Sequence, residues 1–374
     1  MITATTVTDT DDGSPASPGA GWQAELRAAE SSARAMDAAL RLTEAERRGI
    51  EHARASGLRP KATAHFLGLC DPLDAACPIR RQVVPHELEA REVPGDLEDP
   101  LGEQEHEVAP HLVRRYPDRA LLIATLQCAV HCRFCTRSRL VRTGQGVTPM
   151  AELEPAFAWL RAHSEVQEVL ISGGDPLTMA TSRLVELVDR LRAIGTLRRL
   201  RIGTRTPSAL PSRIDDELVQ ALKGRPAIWF MVHFNHPKEL MPEAREALGR
   251  LADGGFPLMN QTVMLRGIND DPEVLAELFR GLVDERVRPY YLLHCDVAKG
   301  TSHLRTTLDR SVAVYRELLG KVSGIAVPKL IVDTPRGRGK VQVGPETIVE
   351  REPGRTVLRT WRGERVELTD PPSE

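Results

Sequence analysis

From about residue 120 the chain alternates short apolar runs with amphipathic helical stretches, which confines it to α/β folds built on a parallel sheet. The runs are Ala120 to Leu126, Val166 to Ser172, Leu197 to Thr204, Ala227 to Phe234, Phe256 to Leu265 and Arg288 to Cys295, each followed by a helical stretch. Gly324 to Pro335 adds a seventh run, and from Val341 onward the pattern is short strands and turns. Six βα repeats fall short of a closed eight-stranded barrel, so the expected fold is α/β, a partial (β/α)6 barrel.

In such folds the chemistry collects where strands end and βα loops begin. The unusual residues of this chain sit there. Three cysteines follow the first run, Ser172-Gly173-Gly174-Asp175 the second, and Arg205 the third. His233 and His236 end the fourth, Asp296 follows the sixth, and Asp333 ends the last.

Cys128, Cys132 and Cys135 form a C-x3-C-x2-C loop. Three thiolates so spaced can reach three irons of a [4Fe–4S] cubane and leave the fourth open to chelate S-adenosylmethionine (SAM). A zinc knuckle is the alternative, but tetrahedral zinc wants a fourth ligand, which here falls to His131 or the distant Cys295. The Gly173-Gly174 turn suits close approach of a small charged ligand, such as the methionine amino group of SAM; a plain strand-to-helix turn would use the same residues.

Upstream, Trp22 to about Ser56 reads as helix, because Leu26, Ala29, Ala33, Met36 and Leu40 recur at steps of three and four. Pro60 to Asp118 is irregular, proline-rich and marked by Arg80-Arg81, and is expected to wrap over another unit without a core of its own. The polar first 21 residues show neither a basic nor an apolar leader segment and read as a disordered tail. The expected units are therefore 1–21, 22–117, 118–335 and 336–374.

With 50 Lys plus Arg against 52 Asp plus Glu, the formal charge of −2 gives no electrostatic reason to bind nucleic acid or an anionic membrane. The apolar runs are far shorter than the ~20 residues that span a bilayer. A small-molecule partner is expected. Six cysteines, three of them within eight residues, suit metal binding better than a disulfide framework, so a reducing, cytoplasmic setting is expected.

The segments CPIRRQVVP, RRYPDR, CAVHCRFCTRSR, LISGGDPL, RIGTRTP, HFNHP, NQTVMLRGIND, RPYYLLHCD and VDTPRGRGK occur in that order, and together they resemble the lysine 2,3-aminomutase family over roughly residues 60 to 365. The resemblance implies a radical SAM barrel with a helical N-terminal extension and a C-terminal segment that binds pyridoxal 5′-phosphate (PLP). It implies an isomerase in which a SAM-derived radical takes hydrogen from the β-carbon of a PLP-bound amino acid, whose amino group then moves from C2 to C3. Lys340 matches the Schiff-base lysine, and Arg115, Tyr116 and Arg119 match PLP contacts. Ser172, Gly173, Gly174, Asp175, Arg205, His233 and Gln261 fall on the SAM side. Arg137 matches the clamp on the substrate α-carboxylate, with Arg133 and Arg139 beside it as structural residues. Asp296 and Asp333 match the two acids that receive a distal ammonium group, and two such acids repel unless a cation joins them, which implies a basic amino acid. An electron donor such as flavodoxin or ferredoxin and a homo-oligomeric state, most simply a dimer, follow as further expectations.

The chain departs from the family at three places. Asp271 follows IND where zinc-binding members carry a cysteine, and no cysteine follows Cys295, so structural zinc is not expected. Leu293 stands where lysine-specific members carry an aromatic hydroxyl, and His294 replaces an amide, which implies an altered cavity. Lysine is the first substrate expectation. Arginine, as in the 2,3-aminomutases of antibiotic biosynthesis, is the second, and a PLP-dependent radical reaction without migration is the third. A relative that modifies a lysine of an elongation factor fits less well, because this chain keeps both acids and the helical extension. An iron–sulfur scaffold without turnover would need neither Lys340 nor the acid pair.

Overall fold

The computed structural model describes residues 20–29, 32–144, 146–369 and 371. Each apolar run of the sequence becomes a strand: β3 (Arg119–Thr125), β4 (Glu168–Gly173), β5 (Arg199–Thr204), β6 (Ile228–Val232), β7 (Leu258–Met264), β8 (Val287–His294) and β9 (Lys329–Asp333). These seven pair in parallel, in chain order. Two short strands, β1 (Glu107–Ala109) and β2 (Leu112–Tyr116), add antiparallel to β3, and β10 (Lys340–Gln342) adds antiparallel to β9. The result is one open ten-stranded sheet.

Helices begin with α1 (Ala20–Ala28), α2 (Ser32–Ala39) and α3 (Glu44–Ala55), followed by short α4 (Ala64–Gly68), α5 (Arg80–Val83) and α6 (Ser138–Val141). Then α7 (Met150–Ala162), α8 (Thr181–Arg192), α9 (Thr206–Ala209), α10 (Asp216–Leu222), α11 (Pro242–Asp253), α12 (Pro272–Asp284) and α13 (Leu308–Leu318) connect the parallel strands. Their apolar stripes meet one face of the sheet, where Leu122, Ile171, Leu200, Ile202, Phe230, Leu292 and Leu330 are fully buried in one continuous core. The opposite face is different. On β5, Leu200 and Ile202 go to the core, while Arg201, Gly203 and Thr204 line an interior cavity. The side chains that point inward line this interior without filling it, so it stays hollow.

Three sequence expectations change. The expected helix from Trp22 to Ser56 is three helices, because Thr43 opens a new one: its hydroxyl accepts the Glu46 backbone N–H while the Glu46 carboxylate accepts the Thr43 N–H. Residues 60–118 do not merely wrap. Phe66, Ile79, Val83 and Val84 join Trp22, Leu26, Met36 and Ile50 in a second apolar core, which also takes in Ala129, Val130, Ala209 and Leu210. The borders at 117/118 and 335/336 cut through the sheet, since buried Leu112 and Val113 belong to β2 and Lys340 opens β10. As for the expected tail, Ala20 and Gly21 are helical, and residues 1–19 lie outside the described residues.

Asp271, expected from the resemblance to replace a cysteine, caps α12 by accepting the Glu273 N–H at 2.7 Å, with Pro272 next. Beyond β10 a separate three-stranded antiparallel sheet forms from β11 (Ile348–Glu352), β12 (Arg355–Arg359) and β13 (Arg365–Thr369). Among the described residues no helix is long and apolar enough to cross a membrane.

Candidate active site

The curved sheet encloses a cavity of about 530 Å³, within the range typical of small-molecule sites. Every site residue nominated from the sequence lines it. Their individual surroundings differ.

The cysteine loop leaves the end of β3. All six cysteines of the chain are free of disulfides. Burial and the neighbouring thiols push Cys128 well above its ordinary range, and the same causes push Cys135 up to about 11. A bound cation would reverse that repulsion. Among the described residues no three Cys, His, Asp or Glu side chains converge on a point that could hold a single ion. Three thiols lining one cavity suit a multi-iron group whose ligands sit on separate irons. Of the two candidate fourth ligands for zinc, Cys295 is buried in an apolar cluster with Val263, Leu265 and Leu304, and His131 has its Nδ1 2.6 Å from the Arg59 carbonyl, which leaves only its Nε2.

Beside the loop, the end of β4 lies against the strand that carries it. Gly174 N–H donates to the Thr125 carbonyl at 2.6 Å and Asp175 N–H to the Gln127 carbonyl at 2.8 Å. Gly173 has φ +120, and a Cβ there would stand 2.1 Å from the Thr125 oxygen; one on Gly174 would stand 2.3 Å from the Gln127 oxygen. Only glycine permits this approach. Asp175 faces inward as well: its carboxylate accepts from Thr204 Oγ1 at 2.7 Å, Arg205 N–H at 2.7 Å and Leu177 N–H at 3.1 Å. Asp175 therefore ties the ends of β4 and β5 together, with Ser172 left beside Arg137.

Arg137 reaches the cavity with its Nε bound to Glu103 at 2.7 Å and Nη1 3.3 Å from Ser172 Oγ. Glu103 is buried and its other oxygen takes Arg139, so it orients one guanidinium of the pocket through one edge and leaves the far edge for a ligand. No signal in the sequence singles out Glu103, since its acidic neighbours Glu105 and Glu107 are exposed. Arg133, the expected structural neighbour, pairs with Glu89.

His233 stacks on Phe134, with ring centroids 5.5 Å apart, and burial pushes its pKa down to about 3, so the ring is neutral. Its Nε2 is buried without a hydrogen-bond partner among the described residues, a vacancy suited to a ligand. Gln261 on β7 faces the same space. His236 does not: its Nδ1 accepts the Lys238 N–H and caps a short turn.

At the other end, strands from the two ends of the sheet approach each other, β2 coming against β10. Tyr116 on β2 accepts the Lys340 backbone N–H at 2.9 Å, and Arg119 lies 3.8 Å over the Tyr116 ring. The Lys340 ammonium pairs with Asp333, whose other oxygen is buried without a hydrogen bond and stands 3.9 Å from Arg115. Burial and the nearby Asp333 raise Asp296 to about 7. The orphaned Asp333 oxygen, a reachable lysine amine and two guanidinium groups fit an anionic aldehyde cofactor together with a cationic ligand.

The altered positions separate. Leu293 lines the cavity, whereas His294 turns outward, its Nδ1 2.9 Å from Ser311 Oγ on α13, so it does not alter the cavity. Sequence reasoning missed Tyr290 and Tyr291, both in the lining, with rings stacked at 3.7 Å and Tyr290 Oη donating to Tyr291 Oη at 2.7 Å. The Tyr291 ring centroid lies 5.8 Å from Lys340 Nζ, so a phenol stands in the same lining as the apolar Leu293.

Comparison with known proteins agrees with this arrangement. The profile of the radical SAM superfamily matches residues 122–279, and one described as lysine-2,3-aminomutase matches residues 315–373. L-lysine 2,3-aminomutase of Fusobacterium nucleatum is 42% identical over 314 residues, covering 84% of this chain and 74% of that protein. The enzyme of the same name from Clostridium subterminale is 40% identical over 330 residues, covering 88% and 79%. Glutamate 2,3-aminomutase of Clostridioides difficile is 36% identical over 309 residues, covering 83% and 73%. With its strand-end cysteines, its glycine-lined turn and this degree of likeness over most of its length, the chain belongs to the lysine 2,3-aminomutase family of radical SAM isomerases, enzymes that work with a [4Fe–4S] cluster and SAM.

Proposed function

We propose that this aminomutase is PLP-dependent and moves the α-amino group of a basic L-amino acid, lysine first, to the β-carbon. The observation that supports it most is the pair Asp296 and Asp333 facing one cavity beside Lys340. Two close carboxylates in a half-buried wall favour a cation between them and disfavour an anionic side chain, which counts against a glutamate-type substrate.

In this reading Cys128, Cys132 and Cys135 hold the cluster, and Gly173 and Gly174 leave room for SAM, with Ser172, Asp175, Arg205, His233 and Gln261 around it. Lys340 is the covalent anchor for PLP, and Arg115, Tyr116 and Arg119 form its polar surroundings. Bound together, cluster and SAM supply a carbon-centred radical and PLP a conjugated system across which nitrogen can migrate. The chain does the rest. Arg137, held by Glu103, presents its free edge to the α-carboxylate, and the acid pair fixes the far end of the substrate, so the β-carbon is held at a set depth. The sheet and its helices keep bulk water from the radical. A flavodoxin- or ferredoxin-like electron donor, a homo-oligomer and a cytoplasmic setting complete the proposal.

Arginine is the second reading, favoured by Leu293, whose side chain leaves more space than an aromatic phenol for a longer cation. Anaerobic incubation of reconstituted protein with lysine, arginine, ornithine or glutamate, followed by chromatography of β-amino acids, decides between them. A β-amino product from a basic substrate is expected; product from glutamate alone, or from none, overturns the proposal. Absorbance of a PLP imine is expected in the wild type and lost in Lys340→Ala, and its persistence moves the anchor elsewhere.

A further inference from the structure

Arg205 does more than face the SAM side of the cavity. Its Nη1 donates to Cys132 Sγ at 2.8 Å, and its Nη2 to Gln82 Oε1 at 2.6 Å and Glu239 Oε2 at 3.2 Å. The rings of Phe66 and Phe134 lie 4.8 and 5.5 Å from the guanidinium carbon. Glu239 is wholly buried and is itself fixed by Ser208 Oγ at 2.6 Å, Asn235 N–H at 3.1 Å and Gln82 Nε2 at 3.1 Å. The cation is thus committed on both ends and shielded on both faces. Of the three cysteines, Cys132 alone takes a side-chain hydrogen bond among the described residues.

A fixed positive charge bonded to a cluster sulfur favours the state with one more electron, and a buried carboxylate behind it opposes that effect. We propose that Arg205 is a positioning residue for the cluster, which holds the Cys132 thiolate and raises the cluster's reduction potential, while Glu239 sets how far. The inference rests on the cluster reading given above. In the step concerned, a low-potential one-electron donor is oxidised and the cluster takes up that electron; no atom is transferred. Arginine suits this place because its planar fork offers two separate nitrogens, Nη1 to Cys132 and Nη2 to Gln82 and Glu239.

The test is an EPR-monitored redox titration of the full-length protein, reconstituted anaerobically, with iron measured in each sample. Wild type is expected to hold about four irons per chain. Arg205→Gln is expected to shift the midpoint to lower potential and Glu239→Gln to higher potential. Opposite signs are the signature, because general damage to the pocket moves both variants alike. Unchanged midpoints, or shifts in one direction, overturn the inference. Where Arg205→Gln fails to fold, Glu239→Gln decides alone: absence of an upward shift with iron retained overturns it. Absence of iron from the wild type instead overturns the cluster reading.

Discussion

Replacing Asp296 with Asn is expected to stabilise the ligand-free protein at high pH and to leave it unchanged at low pH. Burial and Asp333 raise this carboxyl from 3.8 to about 7, with Lys340, Arg115 and Arg305 only partly offsetting them. Below about pH 4 the group is protonated in both folded and unfolded chains, so it contributes nothing. Between about pH 4 and pH 7 the unfolded chain ionises first, and each pH unit costs the folded state about 1.4 kcal/mol. Above about pH 7 the full penalty stands, about 4 kcal/mol as a ceiling, because the exposed part of Asp296 faces cavity water that relaxes some of it. Asn mimics the protonated form and removes the term. Urea denaturation of the apo chain near pH 3 and near pH 8 measures it. The expected result is coincident curves at the lower pH and a more stable variant at the higher one. An equal difference at both values, or a less stable variant near pH 8, refutes the reasoning. Substrate should reverse the sign: a cation between the acids stabilises the ionised form, so the holoenzyme releases a proton on binding lysine and the variant does not, as calorimetry in two buffers reads.

Three other substitutions probe the frame. Glu103→Gln loosens Arg137 and is expected to weaken amino acid binding by about 1–3 kcal/mol, read as a raised KM with PLP imine absorbance unchanged. Arg80→Met strands Glu46, which Arg80 holds at 2.7 Å through both Nε and Nη2, and should cost about 3–5 kcal/mol in a denaturant titration; adding Glu46→Leu should recover only part of it, because the Thr43 cap is lost and the Asp71, Pro72 and Arg41 carbonyls stay without Arg80. Gly173→Ala drives a methyl into the Thr125 carbonyl, so the SAM-induced change in the EPR spectrum should disappear while iron stays bound.

The parallel strands and the residues at their ends were legible because period and position carry them: an apolar run marks β4, and Gly173-Gly174-Asp175 can only follow it. The break before α3 was legible too, since Thr43 and Glu46 stand three apart ahead of a helix, but the wider apolar spacing hid it. Glu103, Gln82 and Glu239 could not be read. Each is an ordinary polar residue whose role comes from the cation that the folded chain brings to it, Arg137 for one and Arg205 for the other two. His294, by contrast, turns toward Ser311 as strand alternation requires once Leu293 faces the cavity; what breaks the alternation on β8 is the adjacent pair Tyr290 and Tyr291, both in the lining.

The N-terminal region belongs to the site, and the cysteine loop shows why. The loop is long and irregular, and its backbone needs partners that the βα barrel does not provide. His131 N–H donates to the Lys61 carbonyl at 2.8 Å, Arg133 N–H to the Gln82 carbonyl at 2.9 Å, and Arg133 Nη1 to the Leu58 carbonyl at 3.3 Å. Ala129 and Val130 sit in the second apolar core with Phe66 and Ile79. The segment from Leu58 to Glu89 therefore forms the outer wall of the cysteine loop, and its Gln82 reaches on to Arg205. A barrel cut at residue 118 would keep every cysteine and strand end of the sequence motif, yet lose the contacts that hold the three sulfurs in register with each other.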